Sequence, residues 1–450
     1  MRKFDVIVVG AGTGGCLAAK TVAEARLKVC MIDRKNEHDI GDKVCGDAIG
    51  KHHFDNIGIA HPSGAELDQI IEGIKVYSPD METVVNVKGE GVHGYLVNRQ
   101  FFGQRLVKEA KNAGATLLDQ TVVTEQVMKD GYVVGVLVKD LKTGNKFSLS
   151  AKVVIDASGY SAVLRKKLPS ELGIETEVKN EDVEVCYREI REIKDPIADP
   201  GFCKIYLDLQ RVPGGYYWIF PKSSTTVNVG LGVAMTEGFP NPKDLYNDLI
   251  LSMPFFKGSR VLTGGGGLVP TRRPISPMVG NGVIIIGDAA CQVNPIHGGG
   301  IGSSMMGGMK AAEVIIEALE NGDMSREALW SYTGMFMKLY GAKQAGLDIF
   351  RMLLQRLSNK EMNYGMKHRL ITDDDLLKTS MGEDLKLNIT EKTGRLFKGL
   401  GSLSLIKKLN VTAKIMKDIK ALYRNYPSSP EGLGEWEEKV QLLVDKAKNM

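Results

Sequence analysis

The sequence predicts a mixed α/β (α+β) fold with an N-terminal β–α–β unit, an inserted antiparallel sheet and a helical C-terminal region. Three observations support this prediction. A helically spaced segment at residues 14–26 lies between apolar runs at residues 4–9 and 28–33. Alternating, strand-like runs dominate residues 183–233. Beyond Ser325 the pattern is almost wholly helical.

Length and composition describe an ordinary globular protein. The chain has 450 residues, about three times the ~150 residues of a typical domain. Hydrophobic residues make up 43% and charged residues 25%, which excludes fibrous and disordered classes. A net charge of only +4 argues against a dedicated nucleic-acid binder.

Several features predict a cytoplasmic protein without a metal site. No run of 18 apolar residues occurs, so we expect no membrane-spanning helix. The N-terminal Met-Arg-Lys and the apolar residues 6–9 superficially resemble a secretory signal, but Asp5 and a glycine cluster at residues 10–15 interrupt the apolar region. The six cysteines form no CxxC pair and the seven histidines have no ligand spacing, so reduced thiols are expected.

The first β–α–β unit carries a nucleotide-binding motif. Residues 10–15 read Gly-Ala-Gly-Thr-Gly-Gly, a GxGxxG motif between a strand and a helix. Gly10 permits the tight turn, Gly12 lets the backbone approach a pyrophosphate, and Gly15 allows close packing of helix on strand. Asp33 ends the second strand, where its carboxylate can accept hydrogen bonds from a ribose. This pattern predicts a Rossmann-type dinucleotide site and leaves FAD and NAD as alternatives.

The middle of the chain predicts further strands around one helix. Alternating runs at residues 73–87 and 116–155 are typical of antiparallel strands, and a helix is expected at residues 99–112 between them. Arg99, at the start of that helix, could hold a phosphate bidentately or remain a solvated surface residue. The glycine run at residues 264–267 precedes Leu-Val-Pro, which favours a loop or strand bend over a phosphate cradle.

Aromatic residues alternate along one strand of the inserted sheet. Tyr216, Trp218 and Phe220 should face one way, because strand side chains alternate between the two faces. Tyr217 and Ile219 should face the other way. Such a stripe can be plain core, or it can wall a channel for a long apolar chain.

A late strand decides between the two nucleotides. The apolar residues 283–286 are followed by Gly-Asp-Ala-Ala, then by a Pro and glycine run and a helix. An acidic residue at a strand end, Asp288, next to free helix N–H groups suits a ribityl chain and a reduced flavin ring. NAD has no ribityl chain, so the prediction is FAD. The alternative is a structural Asp288 that caps the helix.

The combined motifs resemble a known class of flavoproteins. The GxGxxG motif, the Asp-Ala-Ser-Gly at residues 156–159 and the late Gly-Asp-Ala-Ala resemble the p-hydroxybenzoate hydroxylase class over roughly residues 1–320. Within that class, Lys-Val-Cys-Gly-Asp at residues 43–47 and Tyr-Tyr-Trp-Ile-Phe-Pro at residues 216–221 resemble the geranylgeranyl reductase family. One position departs from that family's PxYxWxFP motif, because Gly214 stands where the first Pro is expected.

The resemblance implies FAD as cofactor and a set of binding residues. It implies pyrophosphate contacts at Gly12, Gly14 and Gly15, and a ribose contact at Asp33. It further implies contacts to the rest of the cofactor at Cys45, Gly46, Arg99, Val123, Asp288, Gly300 and Ile301. For the aromatic stripe, the resemblance favours the substrate channel over plain core.

The resemblance also implies an activity, the saturation of isolated C=C bonds in geranylgeranyl chains of an archaeal-type ether-lipid precursor. Proton addition coupled to flavin hydride transfer suits an unconjugated alkene. Cys45 is a candidate proton donor or, alternatively, a small packing residue. The competing functions are a flavin monooxygenase of a small aromatic or other hydrophobic substrate, and a lipid carrier that keeps FAD structurally.

No second GxGxxG motif follows, so the flavin must be reduced from outside, by a ferredoxin or by transiently bound reduced nicotinamide.

The C-terminal region contains a basic amphipathic segment. Residues 391–425 hold nine basic residues against two acidic ones, interleaved with apolar residues. This segment predicts either a helix lying on an anionic membrane surface or a solvated face packed on the protein's own core.

We expect three domains from these boundaries. They are an FAD-binding domain at residues 1–70, 95–180 and 270–322, a substrate-binding sheet domain at residues 71–94 and 181–269, and a helical domain at residues 323–450.

Overall fold

The computed structural model describes residues 2–89, 91–380 and 400–449. The strands, in chain order, are β1 (Arg2–Lys3), β2 (Val6–Val9), β3 (Val29–Ile32), β4 (Ala48–Gly50), β5 (Leu67–Ile71), β6 (Gly73–Tyr77), β7 (Val84–Lys88), β8 (Gly94–Val97), β9 (Thr116–Leu118), β10 (Thr121–Lys129), β11 (Tyr132–Asp140), β12 (Lys146–Ser150), β13 (Val153–Asp156), β14 (Glu184–Glu192), β15 (Phe202–Tyr206), β16 (Tyr216–Pro221), β17 (Thr226–Ala234), β18 (Arg260–Val269), β19 (Val279–Gly280) and β20 (Val283–Ile285).

The α-helices in the described ranges are α1 (Thr13–Glu24), α2 (Lys51–Ile57), α3 (Arg99–Asn112), α4 (Pro242–Leu249), α5 (Ile301–Asn321), α6 (Arg326–Leu329), α7 (Ser331–Phe336), α8 (Ala342–Leu354), α9 (Asn359–Lys367), α10 (Asp373–Ser380), α11 (Leu400–Arg424) and α12 (Leu433–Lys448). Short 3-10 turns connect several elements, among them Gly287–Ala290 after β20. The side chain of Asn98 caps α3 by accepting a hydrogen bond from the backbone N–H of Phe101.

A mostly parallel sheet contains the N-terminal β–α–β unit together with the late strands β19 and β20. Its order is β19-β20-β13-β2-β3-β9, and all the pairings are parallel except that of β19 with β20. The four residues of β2 and those of β3 are all buried, because helices and neighbouring strands cover the sheet. Helix α1 packs on both α3 and α5. This arrangement confirms the predicted β–α–β unit. It corrects the expectation of antiparallel strands over residues 116–155 in two places, because β9 and β13 pair in parallel with β3 and β2.

A second, mainly antiparallel sheet lies beside the first. Its order is β18-β14-β17-β16-β15-β6-β7, so two strands from residues 73–88 join five from residues 184–269. The glycine run at residues 264–267 is part of β18 and pairs with β14. The other strands of the described ranges form two smaller sheets, with the orders β1-β12-β11-β10 and β4-β8-β5.

Helices form the C-terminal region, as predicted. Helix α11 packs along α8 and against α12. Its apolar side is turned inward, with these residues buried: Leu405, Leu409, Ile415, Met416, Ile419 and Tyr423. Among the residues described here, no helix is long and apolar enough to cross a membrane. The basic residues Lys392, Arg395 and Lys398 of the predicted amphipathic segment lie outside the described ranges.

Candidate active site

One large cavity brings together most residues that the sequence singles out. Its volume is about 1940 Å³, whereas a single drug-sized ligand typically needs ~300–1,000 Å³. The cavity therefore has room for a dinucleotide and a second, long ligand. The predicted residues that line it are Gly10, Gly12, Asp33, Cys45, Gly46, Arg99, Val123, Tyr216, Trp218, Phe220, Asp288, Gly300 and Ile301.

The glycines of the loop differ in how much space a side chain would have. Gly12 is the N-cap of α1, and a Cβ built on it would meet nothing within 4 Å. By contrast, a Cβ on Gly15 would lie 2.0 Å from the carbonyl oxygen of Gly10, and one on Gly14 would lie 2.6 Å from that of Ser304. Gly14 and Gly15 sit behind the loop and let α1 approach its neighbours, while Gly12 leaves the space that a pyrophosphate would fill.

Asp33 both shapes the loop and keeps acceptor capacity. Its Oδ2 accepts a hydrogen bond from the backbone N–H of Ala11 at 2.9 Å, and its Oδ1 accepts one from Lys35 N–H at 2.9 Å. An ionised carboxylate has about four lone-pair sites. About two therefore remain for the hydroxyl groups of a ribose.

Arg99 is a buried cation that forms no ion pair with the residues that the structure describes. The side chain begins α3, is only 9% exposed and lines the cavity. Its Nε and Nη1 atoms have no hydrogen-bond partner among the described residues. Because an unpaired buried guanidinium is costly, this geometry fits a phosphate ligand rather than a solvated surface residue.

The loop between β20 and α5 supplies the other wall. Asp288 Oδ2 lies 3.1 Å from the Nζ of Lys43, and its Oδ1 lies 3.3 Å from the position of a Cβ on Gly300. The N-cap of the turn Gly287–Ala290 is Ile286 and that of α5 is Gly300, so Asp288 occupies neither capping position. It faces the cavity, next to the free N–H groups that begin α5 at Ile301. These groups suit the ribityl chain and ring of a flavin.

The segment around Cys45 is held against the second sheet. Asn228 donates to the carbonyl oxygen of Cys45 at 2.7 Å and to Asp47 Oδ2 at 2.9 Å. Lys222 pairs with the same Asp47 carboxylate at 2.8 Å. A Cβ on Gly46 would lie 3.2 Å from the ring of Phe220. Asn228 was not predicted from the sequence, because it comes to this segment only through strand pairing.

The aromatic stripe faces the cavity. Tyr216, Trp218 and Phe220 share one side of β16, and Trp218 Nε1 donates to Asn228 Oδ1 at 3.0 Å. Tyr217, on the other side, stacks on Tyr206 with ring centroids 4.6 Å apart. The predicted alternation is therefore present, and the stripe joins the Cys45 segment through Asn228.

The departure at Gly214 has a local cause. Its backbone φ is +72°, whereas proline is restricted to about −65°. Its carbonyl oxygen accepts a hydrogen bond from Gln355 Nε2 at 3.0 Å, which ties this turn to the end of α8. A proline could not adopt the turn that this chain forms.

Several basic groups in the cavity wall were not anticipated. Arg188 donates from Nη2 to the carbonyl oxygen of Lys43 at 3.2 Å, while its Nε and Nη1 have no partner among the described residues. Burial lowers the pKa of Lys343 to about 8, that of His297 to about 4 and that of His53 to about 3. Burial disfavours the charged form of each group, and the positive charge of Lys343 adds to this effect at the two histidines.

Comparisons with known proteins identify the family to which this site belongs. A family model described as FAD dependent oxidoreductase matches residues 5–202, which carry the glycine loop, Asp33 and Arg99. The protein is therefore an FAD-dependent oxidoreductase. A second model, described as Geranylgeranyl reductase catalytic domain, matches residues 182–269, which contain the aromatic strand.

Curated relatives extend the match over the whole chain. A digeranylgeranylglycerophospholipid reductase of Sulfolobus acidocaldarius is 44% identical, over 98% of this chain and 97% of that protein. The protein of the same name from Methanothrix thermoacetophila is 34% identical, over 83% of this chain and 92% of that protein. The chain belongs to the digeranylgeranylglycerophospholipid reductase family.

Solved structures support the fold. A geranylgeranyl bacteriochlorophyll reductase-like protein of Thermoplasma acidophilum is similar with a TM-score of 0.76 and 24% identity, covering 92% of this chain and 100% of that one. A flavin-dependent brominase is similar with a TM-score of 0.64 and 20% identity, covering 85% and 94%. These likenesses confirm the predicted fold class.

Proposed function

We propose that this protein uses FAD to saturate isolated C=C bonds of geranylgeranyl chains on an ether-lipid precursor. The observation that carries the proposal is a single cavity that joins the dinucleotide cleft to the wall of Tyr216, Trp218 and Phe220. The names of the curated relatives support a prenylated lipid as substrate.

The aromatic wall suits the chemistry of an unconjugated alkene. Such an alkene has no carbonyl to stabilise negative charge, so proton addition toward a tertiary cation is the accessible route. Reduced FAD, when bound, supplies the hydride. The faces of Tyr216 and Trp218 would favour the developing positive charge by roughly 1–2 kcal/mol each when desolvated. Cys45 and Gly46 would lie beside the flavin ring.

We assign the cofactor contacts on the same basis. Open space at Gly12, the orphan nitrogens of Arg99 and the spare acceptors of Asp33 support pyrophosphate and ribose binding. Asp288 would serve the ribityl chain. The remaining proposed contacts in the cavity wall are Gly10, Val123, Gly300 and Ile301. Gly14 and Gly15 do not line the cavity, and for them we propose a contribution through the backbone N–H groups at the start of α1.

Sheet membership supports the division into domains. The seven-stranded order draws β6 and β7 into the sheet of residues 184–269, as expected for a substrate domain at residues 71–94 and 181–269. The parallel sheet would form the FAD-binding domain, and residues 323–450 the helical one.

A membrane contact would act through charge. Lys407, Lys414 and Lys417 are exposed on α11, whereas the apolar side of that helix packs on α8. Lys408 is engaged by Glu361 at 2.8 Å. We propose that the exposed lysines rest on an anionic membrane surface without inserting the helix.

Anaerobic turnover tests the proposed function. The purified protein is reduced with dithionite, which replaces the physiological donor, mixed with a prenylated lipid and analysed by mass spectrometry. A gain of two hydrogens per reduced double bond is expected. A gain of oxygen in air would indicate a monooxygenase, and reduced FAD without any lipid product would indicate a carrier.

A further inference from the structure

Glu184 is a carboxyl group in the cavity wall that the assignments above do not use. It is the first residue of β14, is 6% exposed and lines the cavity. Strand β14 lies between β17 and β18, and Glu184 pairs with Ala234 on one side and Val269 on the other. The backbone register therefore fixes its position.

Strand register directs this carboxyl toward the aromatic stripe. Gly232 is opposite Cys186 on β14 and opposite Tyr216 on β16. A Cβ on Gly232 would lie 3.2 Å from Glu184 Oε2 and 2.9 Å from Cys186 Sγ. Because Gly232 has no side chain, the carboxyl lies over that position, between its own strand and Tyr216.

The loop that leads into α5 reaches the same place. Tyr216 donates a hydrogen bond from its hydroxyl to the carbonyl oxygen of His297 at 2.9 Å. A Cβ on Gly298 would lie 3.7 Å from Val269, the β18 partner of Glu184. Gly300, two residues after Gly298, is the next residue that we assign to the flavin site. The carboxyl, the aromatic wall and the loop that leads to the proposed ring site therefore line the same part of the cavity.

No protein group in the described ranges commits this carboxyl to another role. It makes neither a salt bridge nor a side-chain hydrogen bond there. The nearby guanidinium of Arg351 is held by Asp182 and Asp348, each at 2.7 Å. Burial raises the pKa of Glu184 to about 7, and Arg351 only partly opposes this.

Three groups near Glu184, namely Tyr216, Cys186 and His297, do not change protonation state near neutral pH. Burial, followed by the charge of Glu184, keeps the pKa of Tyr216 well above 10. Burial also raises the pKa of Cys186 and lowers that of His297 to about 4. Cys45 lies within electrostatic range of Cys186 and Tyr216. Arg188 follows on the same face of β14.

We propose that Glu184 is the acid that protonates the alkene. The inference rests on the proposed function. The π pair of the C=C bond forms a C–H bond with the proton from the Glu184 carboxyl, and the other alkene carbon takes the hydride supplied by the cofactor. The alkene is reduced by two electrons, FAD is left oxidised, and Glu184 is left as a carboxylate that recovers its proton from solvent.

The test measures reoxidation of the dithionite-reduced holoenzyme by prenylated lipid in a single turnover. Glu184→Gln preserves shape but cannot donate the proton. We expect unchanged FAD content and dithionite reduction, with reoxidation slowed by ~10²–10⁴-fold, the usual contribution of a general acid. Glu184→Asp should recover part of that rate. Glu192→Gln, at the exposed end of the same strand, is the matched control and should behave as the parent.

The pH profile distinguishes proton transfer from a structural role. The parent rate should fall as pH rises through about 7, and this limb should be absent from the residual rate of Glu184→Gln. An infrared band of a protonated carboxyl should titrate in the same range in the parent and be missing from the variant. Above pH 7 the variant should also melt higher relative to the parent, because it has no buried carboxyl to ionise.

Each remaining outcome decides the proposal. A Glu184→Gln rate within tenfold of the parent, or an unchanged alkaline limb, overturns it. If the rate of Cys45→Ser no longer falls at alkaline pH while that of Glu184→Gln still does, Cys45 is the proton donor instead. If Glu184→Gln does not fold, the test passes to Glu184→Asp and to the infrared titration of the parent, where absence of a titrating band overturns the proposal. A parent that produces no reduced lipid contradicts the proposed function itself.

Discussion

Valine at position 12 should strongly weaken FAD binding while leaving the apoprotein folded. Gly12 has φ −72° and ψ −177°, an extended conformation open to any residue, and its Cβ position meets nothing within 4 Å. The valine methyl groups would therefore project into the cavity without touching protein. They would occupy the space assigned to the pyrophosphate, directly over the first N–H groups of α1.

The size of the effect follows from the hydrogen bonds that are lost. A hydrogen bond to a charged group contributes ~1.5–3 kcal/mol. Losing two of them would cost about 3–6 kcal/mol, which weakens FAD binding by roughly 10²–10⁴-fold. The apoprotein loses only a favourable N-cap glycine, a change of ~1 kcal/mol in the free energy of unfolding.

The assay is titration of apoprotein with FAD, followed by flavin fluorescence, together with thermal melting of the apoprotein. Gly15→Ala is the matched control from the same motif, since its Cβ would lie 2.0 Å from the Gly10 oxygen. That variant should lose ~1–3 kcal/mol or more of stability through overpacking. Parental FAD affinity in a folded Gly12→Val protein would refute the assignment of the loop.

Three further predictions concern the cofactor, the substrate and the membrane. Arg99→Met should weaken FAD binding about 10–100-fold, because one charge-assisted hydrogen bond is lost. The apoprotein of this variant should melt at the same or a higher temperature, because an unpaired buried cation is gone. Unaltered FAD affinity would show that Arg99 does not bind a phosphate. Trp218→Ala should lose prenyl turnover but keep FAD. Since truncation of a buried Trp costs ~3–5 kcal/mol, activity lost only in proportion to folded protein would favour plain core. Replacing Lys407, Lys414 and Lys417 with Gln should weaken binding to anionic vesicles at low salt by ~1 kcal/mol per charge, and equal binding by variant and parent would remove the membrane role.

Local patterns predicted the parts of the fold that depend on neighbours in sequence. The bounds of α3 were predicted as residues 99–112 and are confirmed. The structure shows that the helix begins at a local cap, the side chain of Asn98. The glycine spacing at residues 10–15 placed the nucleotide loop, since a tight strand-to-helix turn is a local requirement. Period-two alternation placed the aromatic stripe on one face of β16.

Other features depended on contacts between distant segments. The apolar side of α11 could have faced lipid or protein, and packing on α8 decided the matter for residues 400–424. The glycine run at residues 264–267 became a strand because β14 pairs with it. Neither outcome was readable from composition, since the same residues suit both environments.

The sequence by itself determined the nucleotide fold, the flavin cofactor and the family, because these rest on short motifs whose chemistry requires fixed spacing. Only the tertiary structure decided which polar groups meet in the cavity and directly behind its wall. Asn228 reaches Cys45, and Glu184 reaches Tyr216, through strand register between segments far apart in the chain. Burial in that cavity then raises the pKa of Glu184, a property that a glutamate acquires from its surroundings and not from its neighbours in sequence.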